Sequence, residues 1–351
     1  MVISDSQHKI HAGLRNKLLR GLLVALCVVF TSCDDVVDRT TGKSQVRVDV
    51  DWSGYGKSVP TGMTIMFHHN ETGERTQTID NNISYVTPYL SLGRHWATAF
   101  NLTEEEFGNI RFRGLEAAET AETYVREYTG SKWYTNLAAD GSYVAGQPEW
   151  LAVDTIMTPV VEPLSDGIRS EAKVIGTLRP RNIIHTLHVV VHIENIGNLL
   201  AARGAIGGLA AGRRLAGDCP NDNAVTVTHL IESDCWTCSR TSSSPDVGLV
   251  KADIRCFGLP ANHKGRPGEN RLEFQALLAD GRTVKRYDIP VGHLIERAAV
   301  APDCRGDDLD LYLEVWLDSA LPPCSGGGNG SGGVDVWFDD WDDYIDFNIP
   351  M

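Results

Sequence analysis

The chain has few positive charges, no apolar run long enough to cross a bilayer, little helical periodicity and none of the common catalytic signatures. It carries 32 Lys and Arg against 46 Asp and Glu, a formal net charge of −14 over 351 residues. Phosphate recognition needs a basic surface, so this balance argues against nucleic acid as a partner. It also argues against docking on anionic lipid through a basic patch. A spanning helix needs about 20 apolar residues. The run Leu22–Phe30 has nine, and Ile193–Leu215 is interrupted by Glu194, Arg203, Arg213, Arg214 and several glycines. No G-x-S-x-G, H-E-x-x-H or G-x-x-x-x-G-K-[ST] occurs, which leaves out the best-marked hydrolase, zinc-protease and nucleotide-binding classes. The segment Gly204–Gly212 is glycine-rich without phosphate-binding spacing, and its glycines suit tight turns and close backbone packing. No catalytic residue, metal ligand or cofactor is expected, and the protein is read as a non-enzyme.

What is present begins at the N-terminus. Lys9, Arg15, Lys17 and Arg20 precede the short apolar run, the pattern of a secretory signal. The run ends at Thr31-Ser32-Cys33, as in a bacterial lipobox, with Phe30 where leucine is usual. Residues 1–32 are therefore expected to leave as a signal peptide, and Cys33 to carry the lipid that anchors the protein in the outer membrane. Acyl chains contribute about 0.8 kcal/mol per buried methylene, so two or more make a lasting anchor. Residues 33–43 read as a tether. Its Asp34-Asp35 resembles the short acidic export signal of Bacteroidota surface lipoproteins, which would place the protein on the cell surface.

Eight cysteines are present. Cys27 leaves with the signal and Cys33 takes lipid, so Cys219, Cys235, Cys238, Cys256, Cys304 and Cys324 remain. An exported compartment permits disulfides, but spacing does not fix their connectivity. They are read as loop-stapling disulfides or free thiols. Cys235-Trp236-Thr237-Cys238 sits in loop-like composition rather than at the start of a helix, so it does not read as a redox motif. Zinc would want four ligands, usually as two close pairs, and this is the one close cysteine pair.

Period-2 alternation dominates the rest. Val46, Val48, Val50 and Trp52 alternate with Arg47, Asp49 and Asp51. Leu309, Leu311, Leu313, Val315 and Leu317 alternate with Asp310, Tyr312, Glu314 and Trp316. Both read as half-buried strands. Further strands are expected at Met63–His68, Val174–Leu178, Leu187–Ile193, Leu272–Leu278 and Thr283–Ile289. Asp280-Gly281 marks a hairpin between the last two. A short helix is expected from Thr103, whose acidic sequel suits a first turn, and helical turns within Ile196–Leu215. On a strand His188 and His192 share a face, about 13 Å apart, too far to hold one metal; His185 points the other way. Short strands separated by turns make an all-β sandwich fold. A Pro-rich break at 159–167 divides it into domains at 44–165 and 170–322. Residues 323–351 form a glycine-rich linker and an acidic aromatic tail. The linker Ser325–Gly333 spans roughly 15–18 Å. The tail's Val334–Phe338 could pair with a sheet edge of this chain or of a partner. Asp154-Thr155-Ile156 and Asp318-Ser319-Ala320 resemble the O-glycosylation site of exported Bacteroidota proteins, making Thr155 and Ser319 candidates.

The blocks "VRVDVDWSGYGKSVPTGMTIMFHHNETGE", "GAIGGLAAG" and "LDLYLEVWL", in this order, resemble a family of Bacteroidales lipoproteins with fimbrillin-like organisation and, more distantly, FimB-type fimbrial anchor lipoproteins. The resemblance implies two tandem transthyretin-like β-sandwich domains. It also implies a role in fimbrial anchoring, assembly or adhesion, with fimbrial subunits as partners through β-strand complementation. The alternative is a surface glycan-binding lipoprotein of a polysaccharide-uptake system. In that case Trp52, Trp96, Trp133, Trp150 and Trp316 are the residues able to stack on sugars, although core packing competes for them.

Overall fold

A computed structural model describes residues 42–129, 143–163, 172–216, 226–240, 246–260, 269–297 and 310–323. The signal segment, Cys33, the tether as far as residue 41 and the acidic tail lie outside the described residues. The described residues from Ser44 onward form one compact unit.

The first strands are β1 (Lys43–Val50), β2 (Met63–His69), β3 (Arg75–Asp80), β4 (Tyr85–Val86), β5 (Tyr89–Ser91) and β6 (His95–Asn101). Next come β7 (Ile110–Arg113), β8 (Glu122–Val125), β9 (Tyr143–Ala145), β10 (Ala152–Met157), β11 (Lys173–Leu178) and β12 (Arg181–Asn182). The second half holds β13 (His185–Glu194), β14 (Leu199–Ala210), β15 (Gly212–Arg214), β16 (Thr226–Ile231) and β17 (Trp236–Arg240). It continues with β18 (Val247–Cys256), β19 (Arg271–Leu278), β20 (Val284–Pro290), β21 (Glu296–Arg297) and β22 (Asp310–Trp316). Three single 3₁₀ turns are the only helical pieces among the described residues.

The architecture is all-β, two sandwiches in tandem. In the first, β11-β1-β4, with β5 also on β1, faces β12-β10-β6-β2-β3. Val48, Ile65, Phe67, Leu90 and Ala99 fill the space between these sheets. In the second, β17-β18-β13-β22-β21 faces β20-β19-β14-β16-β9 around Leu187, Val191, Phe274 and Leu313. Strands are exchanged across the break near residue 165. β11 pairs in parallel with β1, and β12 pairs with β10. In the other direction, β9 runs parallel to β16.

At β2 the sheet is buried on both faces, and all seven β2 positions are buried. Met63, Ile65 and Phe67 face the first core, while Met66 on β2 and Phe100 on β6 join the second. A small sheet, β15-β8-β7, fills the join. Its Phe112 stacks on Phe100 at 4.8 Å and meets Phe107 at 5.6 Å.

Two local expectations are corrected. The segment 196–215 is a single 3₁₀ turn, Ile196–Asn198, followed by β14 and β15 rather than helical turns. Its glycines serve close approach between strands. A Cβ on Gly204 would stand 2.9 Å from the Glu273 carbonyl oxygen and 3.0 Å from the Trp236 ring. Gly208, at φ +77°, sits in the register shift between Ile206 and Leu209, where β14 bulges against β16. The segment from Thr103 is one turn rather than a helix. Glu106 closes it by accepting the Thr103 N–H through its carboxylate, at 2.7 Å. Gly108 and the start of β7 at Ile110 then end it.

Other readings hold. The Asp280-Gly281 turn joins β19 to β20, with Gly281 at φ +66° and the Asp280 carboxylate accepting from Arg282 N, Thr283 N and Thr283 Oγ1. β13 alternates buried and half-buried positions along its length.

Candidate functional site

The candidate site residues do not converge on one place. Cys33, Cys219, Cys304, Cys324 and Trp133 lie outside the described residues. Cys235, Cys238 and Cys256 are free thiols, not joined to one another. Cys235 ends a 3₁₀ turn and Cys238 lies on β17, the end strand of its sheet. Burial, then the neighbouring Asp234 carboxylate, pushes the Cys235 thiol up, so this pair lacks an activated thiolate. Cys256 is enclosed in the core, and burial pushes its thiol up to about 12.

A clear reactivity order follows. In the reduced native protein, a thiol alkylating reagent is expected to modify Cys238 and to leave Cys256 unmodified until denaturant is added. Peptide mass spectrometry would read this, and equal rates at the two cysteines would contradict the buried placement.

Thr155 lies on β10, half-buried. Its hydroxyl donates to the Leu215 carbonyl at 3.1 Å and meets Thr98 Oγ1 at 3.0 Å. Ser319 is exposed on the turn after β22, and its Oγ accepts from Lys285 Nζ at 2.7 Å. Ser319 thus offers an accessible hydroxyl, whereas that of Thr155 is engaged within the fold.

The histidines divide as the strand period requires. His185 is buried, with Nε2 3.0 Å from Arg213 Nη1. His188 and His192 stand on the solvent face of β13. There the parallel register with β22 sets His188 beside Tyr312 and His192 beside Trp316. The His192 and Trp316 rings stack at 3.7 Å and 11°, and those of His188 and Tyr312 at 5.0 Å and 22°. Each imidazole also holds a carboxylate. His188 Nδ1 is 2.7 Å from Asp253, and His192 Nε2 is 2.5 Å from Glu314. Trp316 is 64% exposed and Tyr312 46%.

The other described tryptophans are spent on packing. Trp52 donates its indole N–H to the Ile83 carbonyl beside the first core. Trp96 is half-buried on β6. Trp150 packs on the second core, with Lys57 Nζ 3.7 Å from its ring centroid. Sequence reasoning placed Trp316 on the polar side of its strand. It missed the pairing with His192, because that contact depends on two strands far apart in the chain. No helix among the described residues is long and apolar enough to cross a membrane, and no three of their His, Cys, Asp or Glu side chains cluster to hold a metal.

A family model described as "Domain of unknown function (DUF5119)" matches residues 32–229. The chain belongs to this family. No curated protein matches this DUF5119 chain in sequence. Several solved structures share its fold. One is a candidate adhesin from Bacteroides ovatus ATCC 8483, at 15% identity and TM-score 0.50, covering 81% of this chain and 95% of that one. A second candidate adhesin, from Bacteroides thetaiotaomicron VPI-5482, matches at 11% identity and TM-score 0.44, over 70% and 79% of the two chains. The fimbrial anchor protein Mfa2 from Porphyromonas gingivalis matches at 12% identity and TM-score 0.42, over 78% and 90%.

Proposed function

We propose that this DUF5119 protein is a lipid-anchored protein of the outer surface that works by adhesion, or by anchoring and assembling a surface fibre, rather than by catalysis. The observation that carries the reading is the two-sandwich likeness to the Bacteroides ovatus candidate adhesin, which extends over 95% of that chain. Cys33, following an apolar run and two small residues, supplies the anchor chemistry.

Strand complementation by fimbrial subunits fits sheets that end in open strands. β3 closes the order β12-β10-β6-β2-β3 and alternates exposed with half-buried residues, the pattern of an edge to which an extended segment adds. Val334–Phe338 has the alternation to serve as such a segment for a partner.

Replacing Cys33 by Ala is expected to move essentially all of the protein from the membrane fraction to the soluble fraction, read by fractionation and immunoblotting. Deleting the gene is expected to release surface fibres into the medium, or to lower adhesion to host or bacterial surfaces. A Cys33→Ala protein that stays in the membrane fraction would overturn the anchor. Unchanged fibres and unchanged adhesion in the deletion strain would overturn the role.

A further inference from the structure

The solvent face of β22 is organised as a recognition surface. Its outward side chains run Asp310, Tyr312, Glu314, Trp316, so acids and aromatics alternate along one strand. The two aromatic positions lie four residues apart, about 13 Å. Each ring is backed on its β13 side by a stacked imidazole. On the other side β21 pairs only with Leu311 and Tyr312. Among the described residues, β22 is therefore the edge of its sheet at Trp316, and the indole face turned away from His192 is open.

Exposing a large aromatic to water forgoes the burial that the other described tryptophans obtain, and here two stand on one face, flanked by hydrogen-bonding groups. The carboxylates are held by imidazoles. Glu314 and Asp253 contact His192 and His188, and Asp310 lies 3.6 Å from His188 Nε2. A carboxylate has about four acceptor sites, so one bond to an imidazole leaves others free for a ligand's donors.

The charges also constrain the partner. On the described part of this face Glu194, Asp253, Asp310 and Glu314 stand against Lys251 and Arg255, which pair with Val190 and Thr186 of β13. This acidic surplus repels a polyanion, and three of the four carboxylates already contact imidazoles. The complement of such a face is a neutral ligand with an apolar surface to lie on the rings and many hydroxyls for the fixed acceptors. Two rings this far apart suit an extended chain rather than a single small molecule.

We propose that Tyr312 and Trp316, with Glu314 between them and His188 and His192 behind, form a binding platform for a neutral oligosaccharide. A pyranose C–H face lies on the open face of the Trp316 indole, the chain continues past the exposed Tyr312, and sugar hydroxyls donate to Glu314 and Asp310. The platform stands apart from the anchoring role, and either can hold without the other.

The test uses the folded, lipid-free protein against an array of cello-, xylo- and manno-oligosaccharides and desialylated mucin glycans, with titration calorimetry on the hits. The wild type is expected to bind at least one neutral oligosaccharide. Trp316→Ala and Tyr312→Ala are each expected to weaken that binding about tenfold or more, as loss of a central aromatic contact does. Ile79→Ala, on exposed β3, is expected to leave it unchanged. Near-UV circular dichroism would confirm that the variants remain folded. Absence of any binding on the array, or binding that survives both aromatic substitutions, would overturn the platform. So would a basic peptide binding in place of sugar, or self-association of the wild type that Trp316→Ala abolishes. An array without hits alongside fibre loss in the deletion strain would overturn the platform and leave the anchoring role standing.

Discussion

Stability is expected to fall steeply as the pH drops from about 6.5 to about 4, because two buried imidazoles resist protonation. His229 lies on β16, fully enclosed, with Nδ1 3.1 Å from the Gly146 carbonyl. That contact sets the tautomer, since Nδ1–H donates and Nε2 stays unprotonated. Nε2 has no hydrogen-bond partner, so a proton added there would be a buried charge with nothing to receive it. Burial lowers the His229 pKa from 6.5 to about 4. His95, on β6, is also lowered to about 4, by burial and then by His69, whose ring meets it edge-on at 4.9 Å.

The sign follows from linkage. Below 6.5 the unfolded chain takes up protons that the folded chain refuses until about 4. Each histidine therefore stabilises the fold fully above 6.5, and that contribution is lost across this window. At 1.36 kcal/mol per pKa unit the loss is about 3 kcal/mol for each, a large share of a typical total of about 5–15 kcal/mol. Asp51 and Asp280 are lowered below the usual 3.8 and act at more acid pH. Glu232, raised by burial, works in the opposite sense and offsets part of the effect. Urea denaturation at a series of pH values reads the slope. His229→Gln, which keeps an N–H donor but cannot titrate, is expected to remove about half of it. An unchanged slope in that variant would overturn the assignment.

Truncating Phe67 or Phe100 to Ala is expected to cost about 3–5 kcal/mol each, as for other fully buried phenylalanines. The two sit on adjacent strands of one sheet but face opposite ways, Phe67 into the first core and Phe100 into the second. Because this sheet has no solvent face at β2 and β6, neither sandwich can open without uncovering part of the other. Both variants are expected to lower the midpoint of a single cooperative transition in scanning calorimetry. Two transitions, with Phe67→Ala moving only one, would mean that the sandwiches fold independently. The exchange of β9, β11 and β12 across the break near residue 165 points to the single transition, since each sandwich lacks a strand without its neighbour.

Much of the β architecture was legible in the chain, because alternation is a local property of the pleat. β1, β13 and β22 each present every second side chain to a core, and their apolar residues mark those positions. The Asp280-Gly281 hairpin was legible for the same reason, since a turn is decided by its own residues. β14 was less so. Its glycines and small residues lack clear alternation, and only Trp236 and the backbone of β19 lying against Gly204 explain why an extended strand is required there.

The sequence by itself determined that the strongly alternating segments such as β1, β13 and β22 are strands, which side of β13 faces water, and that the chain is acidic with a signal-like N-terminus. Only the tertiary structure decided that β2 is covered on both faces, that β11 completes the first sandwich, and that Trp316 comes to rest on His192. Those outcomes depend on pairing between distant segments. Pairing is selected by how much apolar surface the whole assembly removes from water, a quantity that no single stretch of chain contains.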